Sequence, residues 1–258
     1  MGLYVHQIDP VAISFFGFNI YWYSLSYLFG FLLSILYSHH LIKKKLIALP
    51  IRSIDDFLSY AILGVIIGGR LGYVFFYNID FYFSNPIEIF KIWNGGMSFH
   101  GGLIGLTLSI TFFCKKNNYS FLDFSNLISS CAPIGIFLGR IANFINAELI
   151  GKPTNGNWGV VFNINDVPRH PSQLYEAFFE GLIIFFLIYF LYLKGFSKKI
   201  NFFALFLIIY SISRFLIEFI REPDEHLGYL LFNLTMGQLL CLPMFLVGII
   251  FLKYGKRN

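Results

Sequence analysis

Seven apolar blocks divide this sequence, at about residues 20–41, 57–77, 97–114, 121–139, 171–193, 202–220 and 237–252. Several approach the ~20 residues an α-helix needs to cross a bilayer. Only 13% of residues are charged and 57% are hydrophobic, whereas a soluble domain carries about a quarter charged residues. The apolar residues come in blocks rather than in the shuffled pattern of a soluble core. The sequence therefore predicts an all-α polytopic membrane protein with seven transmembrane helices. Residues 1–258 form one integral membrane domain, with a polar outer segment over 140–170.

Placement of charge fixes an expected orientation. The net charge of +5 could suggest nucleic acid, but basic residues sit in short loops between the blocks, so no nucleic-acid partner is expected. The loops after blocks one, three, five and seven hold twelve Lys and Arg, against four in the opposite loops. By the positive-inside bias the C-terminus is cytoplasmic and the N-terminus outside. No basic stretch precedes an apolar core at the N-terminus, so a cleavable signal peptide is not expected. Cys114, Cys131 and Cys241 are scattered through apolar sequence and read as buried small hydrophobes. No internal repeat is visible, which counts against transporters built from duplicated halves.

Polar residues inside the blocks should converge. With this orientation, Tyr23 starts block one at the outer face and Arg70 lies in the outer half of block two. His100 falls about one turn inside block three. Arg214 falls about 18 Å along an outward-running block six, in a core about 30 Å thick, with Glu218 about 6 Å further out. At 100° per residue Tyr210, Arg214, Glu218 and Arg221 share one stripe of an otherwise apolar helix. Arg214 and Glu218, four apart, can pair. Charges inside membrane helices more often mark function than packing. The expectation is one polar cavity opening to the outside.

The densest polar stretch is Gly139–Gly151, with Arg140, Asn143, Asn146 and Glu148 at the end of block four. Gly64, Gly68, Gly69 and Gly72 have the spacing of close helix packing. The glycines around His100, from Gly95 to Gly102, suit close approach of a ligand to the backbone at a helix start. Residues Arg169–Glu176 open block five and read equally well as helix-start chemistry or as part of the site.

Arginine forks match phosphate, and here they lie at headgroup depth, so a phospholipid headgroup is the expected ligand. No Asp/His cluster for a metal is expected. Two other classes fit less well. An outward-facing anion or lipid transporter would use the same basic cavity, but needs a matching polar path in the inner half. A serine hydrolase using Ser98 and His100 lacks a Gly-x-Ser-x-Gly elbow.

The run Gly139-Arg140-x-Ala142-Asn143-Phe144-x-Asn146-x-Glu148-x-x-Gly151 resembles the signature of bacterial prolipoprotein diacylglyceryl transferases. So do Trp22-Tyr23, Gly69-Arg70, Gly95–Gly105 around His100, Arg169–Glu176, and Arg214 through Glu218 to Asp224, in order along the chain. Residues 152–168 form a shorter outer segment than in larger members. The resemblance implies transfer of the diacylglyceryl group of phosphatidylglycerol to the lipobox cysteine thiol of a prolipoprotein, at the periplasmic side of the bacterial inner membrane. It implies no cofactor.

The residue types then suggest roles. His100, or alternatively Glu148, would take the thiol proton. Arg140 and Arg214 would stabilise the leaving phosphate. Asn143 and Asn146 would orient headgroup hydroxyls, with Glu148 and Glu218 holding the arginines or those hydroxyls. Tyr23 and Tyr210 would contact the headgroup. Arg70, Gly101 and Gly151 complete the expected phosphatidylglycerol site.

Overall fold

The computed structural model describes residues 3–163, 166–224 and 227–254. In chain order the elements are β1 (Tyr4–Val5), β2 (Val11–Phe15), β3 (Phe18–Tyr21), α1 (Trp22–Lys43), α2 (Arg52–Tyr77), α3 (Ile79–Ser84), α4 (Phe99–Asn117), α5 (Phe121–Ile145), β4 (Val160–Val161), α6 (Ser172–Glu176), α7 (Ile184–Leu193), α8 (Phe202–Ile217) and α9 (Met236–Tyr254). A π-helical stretch, Ala177–Ile183, joins α6 to α7 without a break. Each of the seven expected apolar blocks is a helix. Five are long and apolar enough to cross a membrane: Trp22–Lys43, Arg52–Tyr77, Phe121–Ile145, Ser172–Leu193 and Met236–Tyr254. α8 is a shorter apolar helix. The protein is a mostly helical, multi-pass membrane protein.

Three features depart from the sequence expectation. The first is the small amount of sheet. β2 and β3 form an antiparallel hairpin around Phe16 and Gly17, and β1 pairs in parallel with β4, Tyr4 opposite Val160. Both turn residues have positive φ, 47° at Phe16 and 83° at Gly17. The second is the length of α5, expected to stop at 139 but continuing to Ile145. Polar residues end a hydropathy block without ending a helix when other side chains satisfy them, as Arg140 and Asn143 are satisfied here. The third is short helical structure after α2: α3 and two 3-10 turns, Pro86–Phe90 and Ile92–Asn94.

The chain divides into two compact units, residues 41–127 and residues 1–40 with 128–258. In the first, α2 and α4 pack backbone to backbone. A methyl at Gly68 would lie 2.5 Å from the Gly101 carbonyl oxygen and 2.7 Å from Gly105 Cα, and one at Gly72 would lie 2.5 Å from Gly101 Cα. Gly64 meets Gly105 in the same way, with its methyl position 2.8 Å from the Gly105 carbonyl oxygen. This is the close packing that small residues permit in lipid, where dispersion rather than water exclusion drives helix association. Gly69 lies off this seam and approaches the Met97 side chain instead. At the α2/α4 end away from this seam, Phe57, Phe113 and Phe124 interlock with ring centroids 4.9–5.3 Å apart.

In the second unit, glycines set the approach of helices around the charged residues. A methyl at Gly181 would lie 2.7 Å from Phe137 Cβ, so the π-helical stretch lies directly on α5. Gly248 brings α9 onto α8, its methyl position 2.7 Å from Ile208 Cγ1. All three cysteines are buried.

Candidate active site

Within the second unit, three arginines meet three glutamates in the interior. Arg140 comes from the last turns of α5, one turn beyond the Phe137–Gly181 contact. Glu176 ends α6, and Glu180 follows one turn later in the π-helical stretch. Arg214 comes from α8, with Glu218 and Arg221 just beyond its end. Arg140 pairs with Glu176 Oε2 at 2.9 Å and with Glu180 Oε2 at 3.2 Å, one glutamate to each terminal nitrogen. Arg214 pairs with Glu176 Oε1, with Glu218 Oε2 at 2.8 Å and, more loosely, with Glu180 Oε1 at 3.8 Å. Arg221 stands 3.8 Å from both Glu176 and Glu218 and 3.5 Å from Asp224. Glu176 thus touches all three arginines. The glutamates at 176 and 180 are fully buried, and the most exposed arginine side chain is Arg140, at 12%.

Charges this far from water persist only when paired and hydrogen-bonded. The pairing expected between Arg214 and Glu218 is present. Tyr210 and Arg214 on α8, and Glu218 and Arg221 just beyond its end, are all buried. Tyr210 has no exposed surface and lies within the interior. It is close enough to Glu180, Arg140 and Arg214 to feel their charges.

Glu148, expected to hold an arginine or to bind headgroup hydroxyls, is hydrogen-bonded to two asparagines. It is exposed, and its two oxygens accept from Asn143 Nδ2 at 3.2 Å and Asn146 Nδ2 at 3.3 Å. The three residues form one polar group at the end of α5. The backbone beyond it turns sharply through positive φ at Ala147 and Leu149, 53° and 56°. Gln173, fully buried, donates to the Glu148 carbonyl at 2.5 Å, and Ser172 donates to the Leu149 carbonyl at 2.9 Å. The start of α6 therefore fixes the turn that carries Glu148.

Gly151 explains its own identity. Its amide donates to the His170 carbonyl at 3.0 Å, while Glu222 donates to the Ile150 carbonyl at 3.1 Å and Lys152 to the Ile220 carbonyl at 2.8 Å. Three backbone segments meet there: the one after Glu148, the one before Glu176 and the one after Glu218. A Cβ at Gly151 would collide with the His170 carbonyl and lie 2.6 Å from His170 Cβ. Arg169 ties the junction from outside, reaching Glu222 at 3.0 Å and Asp166 at 3.1 Å. Tyr23, half-buried, starts α1 with its ring 5.4 Å from that of Tyr27.

The remaining expected residues belong to the unit of residues 41–127. His100 is 7% exposed in the first turn of α4, its ring 5.5 Å edge-on from Phe99. Ser98 caps that helix by accepting from the Gly101 amide at 3.2 Å. Gly101 faces α2, so the space left by its missing side chain is filled by Gly68 and Gly72, not kept for a ligand. Arg70, expected to bind the headgroup, directs its five N–H donors at backbone carbonyls. Nε donates to Ile89 at 2.9 Å, one terminal nitrogen to Gly95 and to Gly96 at 3.1 Å, and the other to Glu88 at 2.6 Å and Lys91 at 3.2 Å. With Tyr82 under its guanidinium at 5.1 Å, Arg70 organises the segment after α3.

The fold and the charged interior define a multi-pass membrane protein with a buried arginine–glutamate cluster at the joint end of α5, α6 and α8. The prolipoprotein diacylglyceryl transferase family model matches residues 10–254. The chain belongs to that family. It is 50% identical over 245 residues to the phosphatidylglycerol–prolipoprotein diacylglyceryl transferase of Rickettsia typhi and 48% identical over 245 residues to that of Rickettsia canadensis. It is 47% identical over 246 residues to that of Rickettsia felis. In each case 94% of this chain and 95% of the relative are covered.

The sequence reading missed Glu180, and treated Glu176 only as the end of a motif. A signal was available. Both are carboxylates four apart in an otherwise apolar membrane helix, which marks them as surely as Arg214.

Proposed function

We propose that this chain transfers the diacylglyceryl group of phosphatidylglycerol to the cysteine thiol of a prolipoprotein's lipobox. The observation that carries the reading is the buried cluster of Arg140 and Arg214 in a chain with this family membership. Guanidinium groups held rigid by carboxylates are suited to a phosphate ester. An uncharged acceptor thiol has a pKa near 8.5 and needs a base at neutral pH. His100 is the proposed base, with Glu148 as the alternative. The thiolate attacks the glycerol carbon that carries the phosphate ester. A C–S bond forms, the C–O bond breaks, and glycerol phosphate leaves with the bonding electrons. Arg140 and Arg214 stabilise the negative charge that grows on it. Asn143, Asn146 and Glu148 face the headgroup hydroxyls, and Tyr23 lines the approach to them.

The proposed setting is the bacterial inner membrane. Seven helices span it, with the N-terminus outside, the C-terminus in the cytoplasm and the arginines in the outer half. The distribution of Lys and Arg supports this orientation. Lipid enters from the bilayer and the peptide from the periplasmic side.

The test is a transfer assay. Purified protein is mixed with phosphatidylglycerol and a lipobox peptide, and the peptide is weighed by mass spectrometry. The expected result is a gain of one diacylglyceryl group, abolished by replacing the peptide cysteine with serine. Uptake of anions into vesicles with no peptide modification would overturn the reading in favour of transport.

A further inference from the structure

The buried cluster is charge-balanced before any ligand arrives. Arg140, Arg214 and Arg221 face Glu176, Glu180 and Glu218. Asp224 adds a partly exposed carboxylate at the edge, 3.5 Å from Arg221, and a phosphate diester brings one more negative charge to three cations that are already fully served. For the phosphate to gain an arginine, a carboxylate has to give up part of its hold on one.

The three carboxylates are not held equally. Glu176 contacts all three arginines, one of them at 2.9 Å. Glu218 is paired with Arg214 at 2.8 Å and accepts from the Thr235 hydroxyl at 3.1 Å. It is also packed against Gly237, where a methyl would lie 3.0 Å from its Oε1. Glu180 has one hydrogen bond, from Arg140 at 3.2 Å, and a loose contact to Arg214 at 3.8 Å. One oxygen of each of the three glutamates lacks a hydrogen bond among the described residues, so what sets Glu180 apart is its longer pairing, 3.2 Å against 2.9 Å at Glu176 and 2.8 Å at Glu218. Glu180 is therefore the least anchored of the three, and its single hydrogen bond comes from the most exposed arginine of the cluster.

We propose that Glu180 is an internal counter-ion that yields Arg140 to the phosphate of the incoming ester. In the empty site it keeps Arg140 paired and correctly aimed. When the phosphate arrives, the hydrogen bond from Arg140 Nη2 passes from Glu180 to a phosphate oxygen, and it returns when glycerol phosphate leaves. The carboxylate thus weakens binding of both lipid and product. The inference rests on the transferase reading for the identity of the ester, but the exchange itself is a property of Arg140 and Glu180.

Glu180→Gln tests it, because the amide keeps the shape and a hydrogen-bond acceptor while removing the competing charge. Three constants are measured: KM for phosphatidylglycerol in mixed micelles, the inhibition constant of soluble glycerol phosphate, and KM for the peptide. The first two are expected to fall about tenfold, equivalent to about 1.4 kcal/mol, with the peptide KM unchanged and kcat lowered by slower product release. A role in stability alone would lower the melting temperature and leave both anion constants where they are, or raise them, and that result overturns the proposal. A fall for the lipid alone supports exchange with the bound headgroup as its source. A fall for glycerol phosphate alone overturns it. Glu180→Asp withdraws the carboxylate by one methylene while keeping its charge. It should move both constants in the same direction by less, and should Glu180→Gln not fold, unchanged constants in Glu180→Asp overturn the proposal. If the wild-type protein transfers nothing, the transferase reading fails. Direct binding of phosphatidylglycerol micelles to wild type and variant still decides the exchange.

Discussion

The amide of Gly151 donates to the carbonyl of His170 at 3.0 Å, and a methyl at Gly151 would stand 2.6 Å from His170 Cβ. This contact joins the segment carrying Glu148 to the one leading into Glu176. Gly151→Ala has to push them apart. Forcing extra atoms into a packed site typically costs about 1–3 kcal/mol. The expected outcome is a lower melting temperature in detergent and at least about a tenfold loss of transfer, since small misplacements of reacting groups are costly. Full activity with an unchanged melting temperature would show that the junction does not position the site.

Arg140 divides its two terminal nitrogens between Glu176 and Glu180. Lysine keeps the charge but offers a single point, so Arg140→Lys cannot serve both carboxylates or present a fork to phosphate. Transfer is expected to drop about tenfold or more, mostly in kcat, as measured by steady-state kinetics with phosphatidylglycerol. An unchanged turnover would remove Arg140 from its proposed role.

Glu176 is the only carboxylate of the cluster in contact with Arg140, Arg214 and Arg221 together. Removing one partner of a buried ion pair costs about 3–5 kcal/mol, because the cations left behind are buried and unpaired. Glu176→Ala is therefore expected to be among the most destabilising single substitutions in the cluster. Thermal unfolding in detergent checks it, with Glu176→Gln as a milder companion. A melting temperature within a degree or two of wild type would mean that the arginines find other partners or water.

The base is tested by a pair of variants in the transfer assay. His100→Gln is expected to reduce kcat by about 10²–10⁴, the range general base catalysis supplies. Glu148→Gln should cost less, through weaker hydrogen bonds to Asn143 and Asn146. Because the substrate thiol is the group to be deprotonated, raising the pH should restore part of the His100→Gln rate. Near-normal transfer in His100→Gln with none in Glu148→Gln would exchange the two roles.

Gly68 sits where α2 meets Gly101 and Gly105. Gly68→Ala is expected to destabilise residues 41–127 by about 1–3 kcal/mol through the clash with the Gly101 carbonyl. Gly69→Ala, whose methyl would instead meet the flexible end of Met97, should be tolerated better. Comparing the two melting temperatures separates the packing seam from the general cost of losing glycine.

Much of this protein is written locally in its sequence, and the remainder depends on pairings between distant segments. Arg214 and Glu218 are legible because charge in an apolar run stands out and a spacing of four places both on one face. Glu180 is equally legible by that rule, although a reading organised by motifs stops at Glu176. The extension of α5 through Arg140 and Asn143 is not legible from hydropathy, since polar residues look like a helix end until their partners are known. Gly151 is of the same kind. Nothing nearby says that its missing side chain makes room for His170, because that closeness exists only once residues 149–152, 168–171 and 220–222 lie side by side. Gly101 shows the reverse error: a glycine beside a candidate catalytic histidine reads as room for a ligand, while its partner is Gly68, over thirty positions away. The β2–β3 hairpin was signalled only by Phe16-Gly17, a weak cue in a stretch so rich in aromatic residues.

A helix pair joined by Gly64, Gly68 and Gly72 on one side and Gly101 and Gly105 on the other meets backbone against backbone along that stretch. Ordinary helix interfaces can slide or rotate by switching rotamers. Here a shift of α2 along α4 would drive carbonyl oxygens into α-carbons, so the two helices are coupled like a single stiff strut. His100, in the first turn of α4, is carried on that strut.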